Sequence, residues 1–174
     1  LTIDGVAFTG AAKITGTQVE DFTFINNKVY DTNAPAGAWA ESNAYKAGFI
    51  YISSSNTTLS QNLQFHYNVF ENVADDNLNI SYVTNVAFDG NVFHNFGYDA
   101  IRFNNGYIGG LLSFTNNEFV QDSMGGYNGI YFRIYGGAAG VGCHIIIDNN
   151  KFENIGTSSA GLYSGAISAR NYQE

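Results

Sequence analysis

The chain has 174 residues and a formal net charge of −8, from 15 acidic against 7 basic side chains. That length suits one domain, residues 1–174, with a continuous core, and 45% apolar content argues against disorder. Seven scattered basic residues cannot build the phosphate-neutralising stripe of a nucleic-acid binder. No apolar run approaches the ~20 residues of a membrane span, and Leu1-Thr-Ile-Asp-Gly reads as strand and turn rather than a signal peptide. A single cysteine, Cys143, excludes an internal disulfide framework and a zinc–cysteine cluster.

Taken along the chain, six segments share the form apolar-x-apolar-x-x-Asn-x-apolar. They run Leu1 to Phe8, Phe22 to Val29, Leu63 to Phe70, Val86 to Phe93, Leu112 to Phe119 and Ile145 to Phe152. The Asn position holds Asn27, Asn68, Asn91, Asn117 and Asn150; the first copy has Val6 there. Between copies lies a shorter small-apolar-x-apolar segment anchored on Ile50, Leu78, Ile101, Ile130 and Ile167, with a weaker copy at Lys13-Ile14-Thr15. Period-2 alternation predicts strands with one buried face, and helical spacing is absent. Short strands recurring in units of just over twenty residues, with insertions, predict stacked coils of a solenoid that share their strand hydrogen bonds. Asn tolerates left-handed backbone and bonds its own backbone, so it suits the bend between strands. Stacked at one point of each coil, these side chains form a ladder, and losing Asn91 or Asn117 should cost roughly 1–3 kcal/mol.

The motif includes Asn68-Val-Phe-Glu-Asn72, Asn91-Val-Phe-His-Asn95 and Asn149-Asn-Lys-Phe-Glu-Asn154. It resembles the right-handed parallel β-helix repeats of the pectate-lyase-like superfamily, over nearly the whole chain. The resemblance implies an all-β, single-stranded right-handed β-helix of about six coils with an internal Asn ladder. For function it is broad, because that superfamily holds polysaccharide lyases, glycoside hydrolases, phage tailspikes and surface adhesins. No capping element is predicted at Leu1 or at Tyr172-Gln-Glu. Open strand edges are normally covered, so the expectation is a piece of a longer chain, covered by neighbouring coils, or a chain that associates with copies of itself.

Three insertions interrupt the coils, near 31–47, 135–142 and 153–164. The first holds the only Pro, Pro35, and the only Trp, Trp39. Such insertions either wall a binding groove or decorate the surface. The glycine-rich second insertion lacks the strand–turn–helix setting of a phosphate loop and reads as a flexible return.

If the short-strand anchors stack inward, their neighbours point to solvent in register: Tyr51 and Ser53, Asn79 and Ser81, Arg102 and Asn104, Tyr131 and Arg133, Ser168 and Arg170. Two residues before the anchors stand Gly48, Asp76, Asp99, Asn128 and Gly165. This gathers all three arginines on one sheet, beside Asp75, Asp76 and Asp99. Aromatic rings pack on sugar C–H faces while Arg, Asn and Asp bond hydroxyls or uronate carboxylates. Asp76, Asn79, Asp99, Arg102, Asn104, Tyr131 and Arg133 are therefore the candidate polysaccharide contacts. The alternative is a solvated sheet on which Asp and Arg neutralise one another.

In lyases of the resembled superfamily the substrate lies across such a sheet, with Arg or Lys as base and often calcium. That makes Asp76, Asp99, Arg102 and Arg133 the catalytic candidates, with calcium only in the lyase case. Ala74-Asp-Asp-Asn-Leu-Asn-Ile80 also looks like the paired-Asp motif of polygalacturonase-type hydrolases, and Arg133-Ile134 like their Arg-Ile-Lys. Tyr98-Asp-Ala-Ile stands where Gly-His-Gly should be, no Asn-Thr-Asp precedes on the Tyr51 coil, and Tyr135 replaces the lysine. His66, His94 and His144 lack ligand spacing for a transition metal, so no metal site is expected. Cys143 continues the inward row of Ile145 and Ile147 and reads as a small core residue.

Three functions follow as expectations. The first is a secreted or cell-surface module that recognises polysaccharide. The second is a polysaccharide lyase or glycoside hydrolase acting on acidic glycans. The third is a structural spacer of an adhesin, surface layer or phage fibre.

Overall fold

A computed structural model describes residues 1–10, 12–32, 48–55, 58–104, 107–122, 127–135, 143–156 and 165–172. Of the three insertions, residues 33–47, 136–142 and 157–164 lie outside the described residues. The described residues contain strands and no helix. Coil 1 comprises β1 (Thr2–Asp4), β2 (Ala7–Gly10) and β3 (Ile14–Gly16); coil 2 comprises β4 (Glu20–Ile25), β5 (Lys28–Thr32) and β6 (Ile50–Ile52). Coil 3 holds β7 (Ser60–His66), β8 (Val69–Val73) and β9 (Leu78–Ile80), and coil 4 holds β10 (Val83–Asp89), β11 (Val92–Phe96) and β12 (Asp99–Asn104). Coil 5 holds β13 (Ile108–Thr115), β14 (Glu118–Val120) and β15 (Asn128–Tyr135). Coil 6 holds β16 (Cys143–Asp148), β17 (Lys151–Glu153) and β18 (Gly165–Tyr172).

Every third strand pairs in parallel with its counterpart in the next coil. The result is three six-stranded sheets: A (β1-β4-β7-β10-β13-β16), B (β2-β5-β8-β11-β14-β17) and C (β3-β6-β9-β12-β15-β18). This is the right-handed parallel β-helix of six coils that the repeat predicts. The register follows the motif, with Phe24↔Phe65↔Phe88↔Phe114↔Ile147 in sheet A and Val29↔Phe70↔Phe93↔Phe119↔Phe152 in sheet B.

The strand spacing dictates how the core packs. From coil 3 onward, rings at equivalent stations stack nearly parallel, as in Phe65–Phe88 (4.8 Å, 8°), Phe93–Phe119 (4.9 Å, 8°) and Phe119–Phe152 (4.7 Å, 2°), whereas Phe24 and Phe65 stand 6.5 Å apart at 57°. The parallel pairs keep the ~4.8 Å between neighbouring strands, so one repeat distance serves backbone bonds and ring stacking together. Cys143 departs from its expected place: it is exposed, as Ile145 (43%) and Ile147 (40%) are beside it on β16. All six positions of β16 are exposed, because it is the edge strand of sheet A and no described coil stacks over it, so Cys143 does not extend the core.

The Asn ladder is present and buried. Asn68 N and Nδ2 both donate to Asn91 Oδ1 (3.1 and 2.9 Å), and Asn91 N and Nδ2 both donate to Asn117 Oδ1 (3.0 and 2.9 Å). Each Nδ2 also donates to a strand carbonyl of the preceding coil, Phe24 O for Asn68 and Phe65 O for Asn91. Asn27 and Asn150 continue the pattern at either end, and Val6 N donates to Asn27 Oδ1 at 2.8 Å. The residue before each rung is left-handed: Gly5, Asn26, Tyr67, Gly90, Asn116 and Asn149 all have positive φ. Asn and Gly meet that demand at low cost.

Further columns line the outside. Asn62 Nδ2 donates to Asp21 Oδ1, Asn85 Nδ2 to Asn62 Oδ1, and Leu111 N to Asn85 Oδ1. Asn72 Nδ2 donates to Asp31, Asn95 Nδ2 to Asn72, and Asp122 N to Asn95. A third column runs Asp4–Asn26, stops at Tyr67, and resumes with Asp89–Asn116–Asn149.

Candidate functional site

Sheet C carries the candidate residues. Its outer row is continuous in register, Thr15↔Tyr51↔Asn79↔Arg102↔Tyr131↔Ser168, and a second row aligns Asn104, Arg133 and Arg170. The sequence therefore places these residues correctly along the strands, with the side chain of Arg170 outside the described set. Their exposure differs from expectation. Asn79 (0%), Arg102 (4%), Asn104 (5%), Tyr131 (7%) and Ser81 (9%) are buried rather than open to solvent. β12 is buried at all six positions, without the alternation of a one-sided strand.

The physical reason is a charge cluster that closes on itself. Asp76 and Asp99 stand at the corner where the chain enters sheet C, on successive coils. Asp99 N donates to Asp76 Oδ1 (3.1 Å), and Asn128 Nδ2 donates to Asp99 Oδ1 (2.7 Å). Gly165 N then donates to Asn128 Oδ1 at 3.1 Å, so Asp76, Asp99 and Asn128 form another polar column. Arg102 Nη1 lies 3.3 Å from Asp99 Oδ2, and its Nε lies 4.0 Å from Asp76 Oδ2. Asn79 Nδ2 completes the coordination of Asp76 Oδ2 at 2.9 Å. The rings of Tyr98 and Tyr131 lie 5.2 and 5.3 Å from the guanidinium carbon, and Tyr127 packs on Tyr98 at 4.5 Å. Cation–π contact lets a guanidinium sit out of water with less loss.

Two carboxyls and one guanidinium in a dry site are out of balance by one charge. Burial pushes Asp99 up to about 6, against the pull of Arg102 and the hydrogen bonds from Asn128. Asp76 is raised well above the ordinary carboxylate range, first by burial and then by repulsion from Asp99. Asp75 is raised by burial, and Tyr98 likewise. Burial alone would depress Arg102, but Asp76 and Asp99 more than offset it and hold the cation.

Two features escape sequence reasoning. Tyr98 and Tyr127 precede Asp99 and Asn128 by one residue each, and that repeated Tyr-Asx pair was the available signal. The second is an open depression at the other end of the face, lined by Lys13, Thr15, Gly16, Thr17 and Tyr51, where Lys13 Nζ sits 5.4 Å over the Tyr51 ring. The weak first copy of the repeat concealed it. Among the described residues no group of three or more His, Cys, Asp or Glu is arranged to hold a metal, and no helix is long and apolar enough to cross a membrane.

Three comparisons with known proteins add no relative: no family model, no curated protein and no solved structure matches the chain.

Proposed function

We propose that this β-helix is a secreted or cell-surface module that recognises polysaccharide along the outer face of sheet C, as the repeat's likeness to the pectate-lyase-like superfamily implies. The supporting observation is the unbroken outer row that begins in the open depression at Thr15 and Tyr51 and runs on toward Asn79 and Arg102. Tyr51 offers a ring for a pyranose face, Thr15 and Thr17 offer hydroxyl partners, and Lys13 offers a cation for a uronate carboxylate. The buried Asp76–Asp99–Arg102 cluster is then the rigid floor of the neighbouring coils rather than a contact surface. Its side-chain oxygens are already engaged within the protein.

Titration calorimetry with polygalacturonate and with a neutral glucan tests this reading. Binding by the wild type that weakens about tenfold or more in Tyr51→Ala, a change of ~1.4 kcal/mol, is the expected result. Equal binding by wild type and variant, or none to either glycan, overturns it.

A further inference from the structure

The side of coil 6 that faces away from coil 5 carries apolar side chains and an open strand edge. Ile145, Ile147 and Ile167 continue the inward rows of Leu112, Phe114 and Ile130, yet each is about two-fifths exposed (43%, 40% and 43%). Phe152, which ends the stack of rings in sheet B, is only partly buried. The bonds of β17 fix the direction of its edge. Lys151 N donates to Asn117 O and Glu153 O accepts from Gln121 N, both back toward coil 5. Alternate residues of a strand aim their N–H and C=O to opposite sides, so those of Phe152 point away from coil 5. Such an edge is a template for another strand.

A second copy stacked with its coil 1 on this side would match the apolar rows, Ile3 on Ile147 and Phe8 on Phe152. The corner between them does not match. Asp4 belongs to the station Asp4↔Ile25↔His66↔Asp89↔Thr115↔Asp148, so it would land on Asp148 at one strand spacing, about 4.8 Å, where like charges repel. The Asn ladder also asks the next coil for a side-chain oxygen to accept from Asn150 N, and Val6 has none. Head-to-tail stacking is therefore refused at the corner that the ladder occupies.

The reversed approach meets neither obstacle. The strand β17 reads Lys151-Phe152-Glu153, so its charges are complementary to themselves when the sequence is reversed. Paired antiparallel with its copy about Phe152, it sets Lys151 opposite Glu153 on both sides of the axis, and the two Phe152 residues exchange a pair of backbone hydrogen bonds. Lys151 holds Glu118 and Glu153 within its own chain (2.8 and 2.9 Å), and its ammonium has a third hydrogen for Glu153 of the copy. Counting outward, Asn150 falls opposite Asn154, which has a side-chain oxygen to offer, and Asp148 opposite Gly156, which carries no charge. Reversal about β17 exchanges its neighbours round the coil, so Ile145 and Ile147 on β16 face Ile167 on β18 of the copy.

We propose that the outer side of coil 6 is a self-association surface, and that two copies join tail to tail by antiparallel pairing of β17 about a two-fold axis at Phe152. The interface is isologous and closes at two copies. It takes the exposed ends of the apolar rows out of water together and leaves no strand edge open at coil 6. The inference holds whether or not sheet C binds glycan.

Sedimentation equilibrium of the intact protein tests this, joined to a disulfide trap in a Cys143→Ser background. The expected result is a dimer and no larger species at concentrations up to about 100 μM. Glu153→Lys gathers only lysines round the axis and should raise the dissociation constant about tenfold or more, with its melting curve reporting that it still folds. Lys151→Cys and Glu153→Cys proteins, mixed and oxidised, should cross-link to each other and neither to itself. Residues flanking the hydrogen-bonded pair come within about 4.5 Å between Cα atoms, inside the reach of a disulfide, whereas each residue lies too far from its own counterpart. A protein that stays monomeric, a ladder of larger species, an unchanged dissociation constant in folded Glu153→Lys, or the absence of the mixed cross-link would overturn the proposal.

Discussion

Replacing Asn91 by alanine is the sharpest probe of what holds the coils together. Its side chain makes four hydrogen bonds: Nδ2 to Phe65 O (2.8 Å) and to Asn117 Oδ1 (2.9 Å), and Oδ1 from Asn68 N (3.1 Å) and Asn68 Nδ2 (2.9 Å). At about 1 kcal/mol each these amount to roughly 4 kcal/mol. Not all four losses are equal. Asn68 Nδ2 keeps Phe24 O, and Asn117 Oδ1 keeps the Asn91 backbone N–H, but Asn68 N is left in the dry interior with no acceptor. The expected destabilisation is therefore about 3–4 kcal/mol, above the range the sequence alone suggested. Asn150→Ala provides the internal control. That residue also bonds Asn117 N, Asn117 Nδ2 and Phe114 O, yet it is only half-buried, so water can replace part of what is lost. Its cost should be about half as large. Urea unfolding of both variants, with amide exchange at Asn68, measures the difference. A loss below 1 kcal/mol for Asn91→Ala, or equal losses for the two, would refute the reasoning.

Two further substitutions test the corners of the coil. A Cβ at Gly97 would stand 2.1 Å from Ala74 O of the coil before, and Gly97 N is bonded to Val73 O at 2.7 Å, so neither chain can retreat. Gly97→Ala should lower the melting temperature by many degrees, equivalent to about 3 kcal/mol or more, and a melting curve that matches wild type would contradict this packing. Asn77 is fully buried at the station where Phe49, Ala100 and Gly129 stand in other coils, and neither atom of its amide has a hydrogen-bond partner. Asn77→Ala should be neutral or stabilising by up to about 2 kcal/mol; a clear loss in urea unfolding would show that the amide is satisfied after all.

The fold was legible because its determinants repeat. Phe and Asn recur at fixed stations, so six weak local signals reinforced one another, and both register and ladder emerged as expected. The outer columns were equally present in the text of the chain, in pairs such as Asn68 with Asn72 and Asn91 with Asn95. They went unread because a polar residue in a strand is ordinarily taken for solvated surface. The same assumption misjudged sheet C. Periodicity says which residues share a face, and Arg102, Asn79 and Tyr131 do share one. It cannot say that the charges on that face outbid water for one another, which depends on distances across coils.

The outer columns also account for the placing of several of this chain's aspartates. In every one of them the donor lies on the later coil and the acceptor on the earlier, whereas the inner Asn ladder runs the other way. Each column of aligned amides is thus a small dipole whose positive pole points toward the first coil. At that pole the terminal residue needs only to accept, and in the outer columns the residue found there is an aspartate: Asp4, Asp21, Asp31 and Asp89. Where Tyr67 interrupts a column, the next segment begins again with an aspartate, Asp89, whose carboxyl is held below its usual range by Thr115 and Asn116. A carboxylate at the head of such a column does for the β-helix what a capping anion does for the start of an α-helix. It gives the chain a grammar in which Asp opens a run of stacked amides and Asn carries it on.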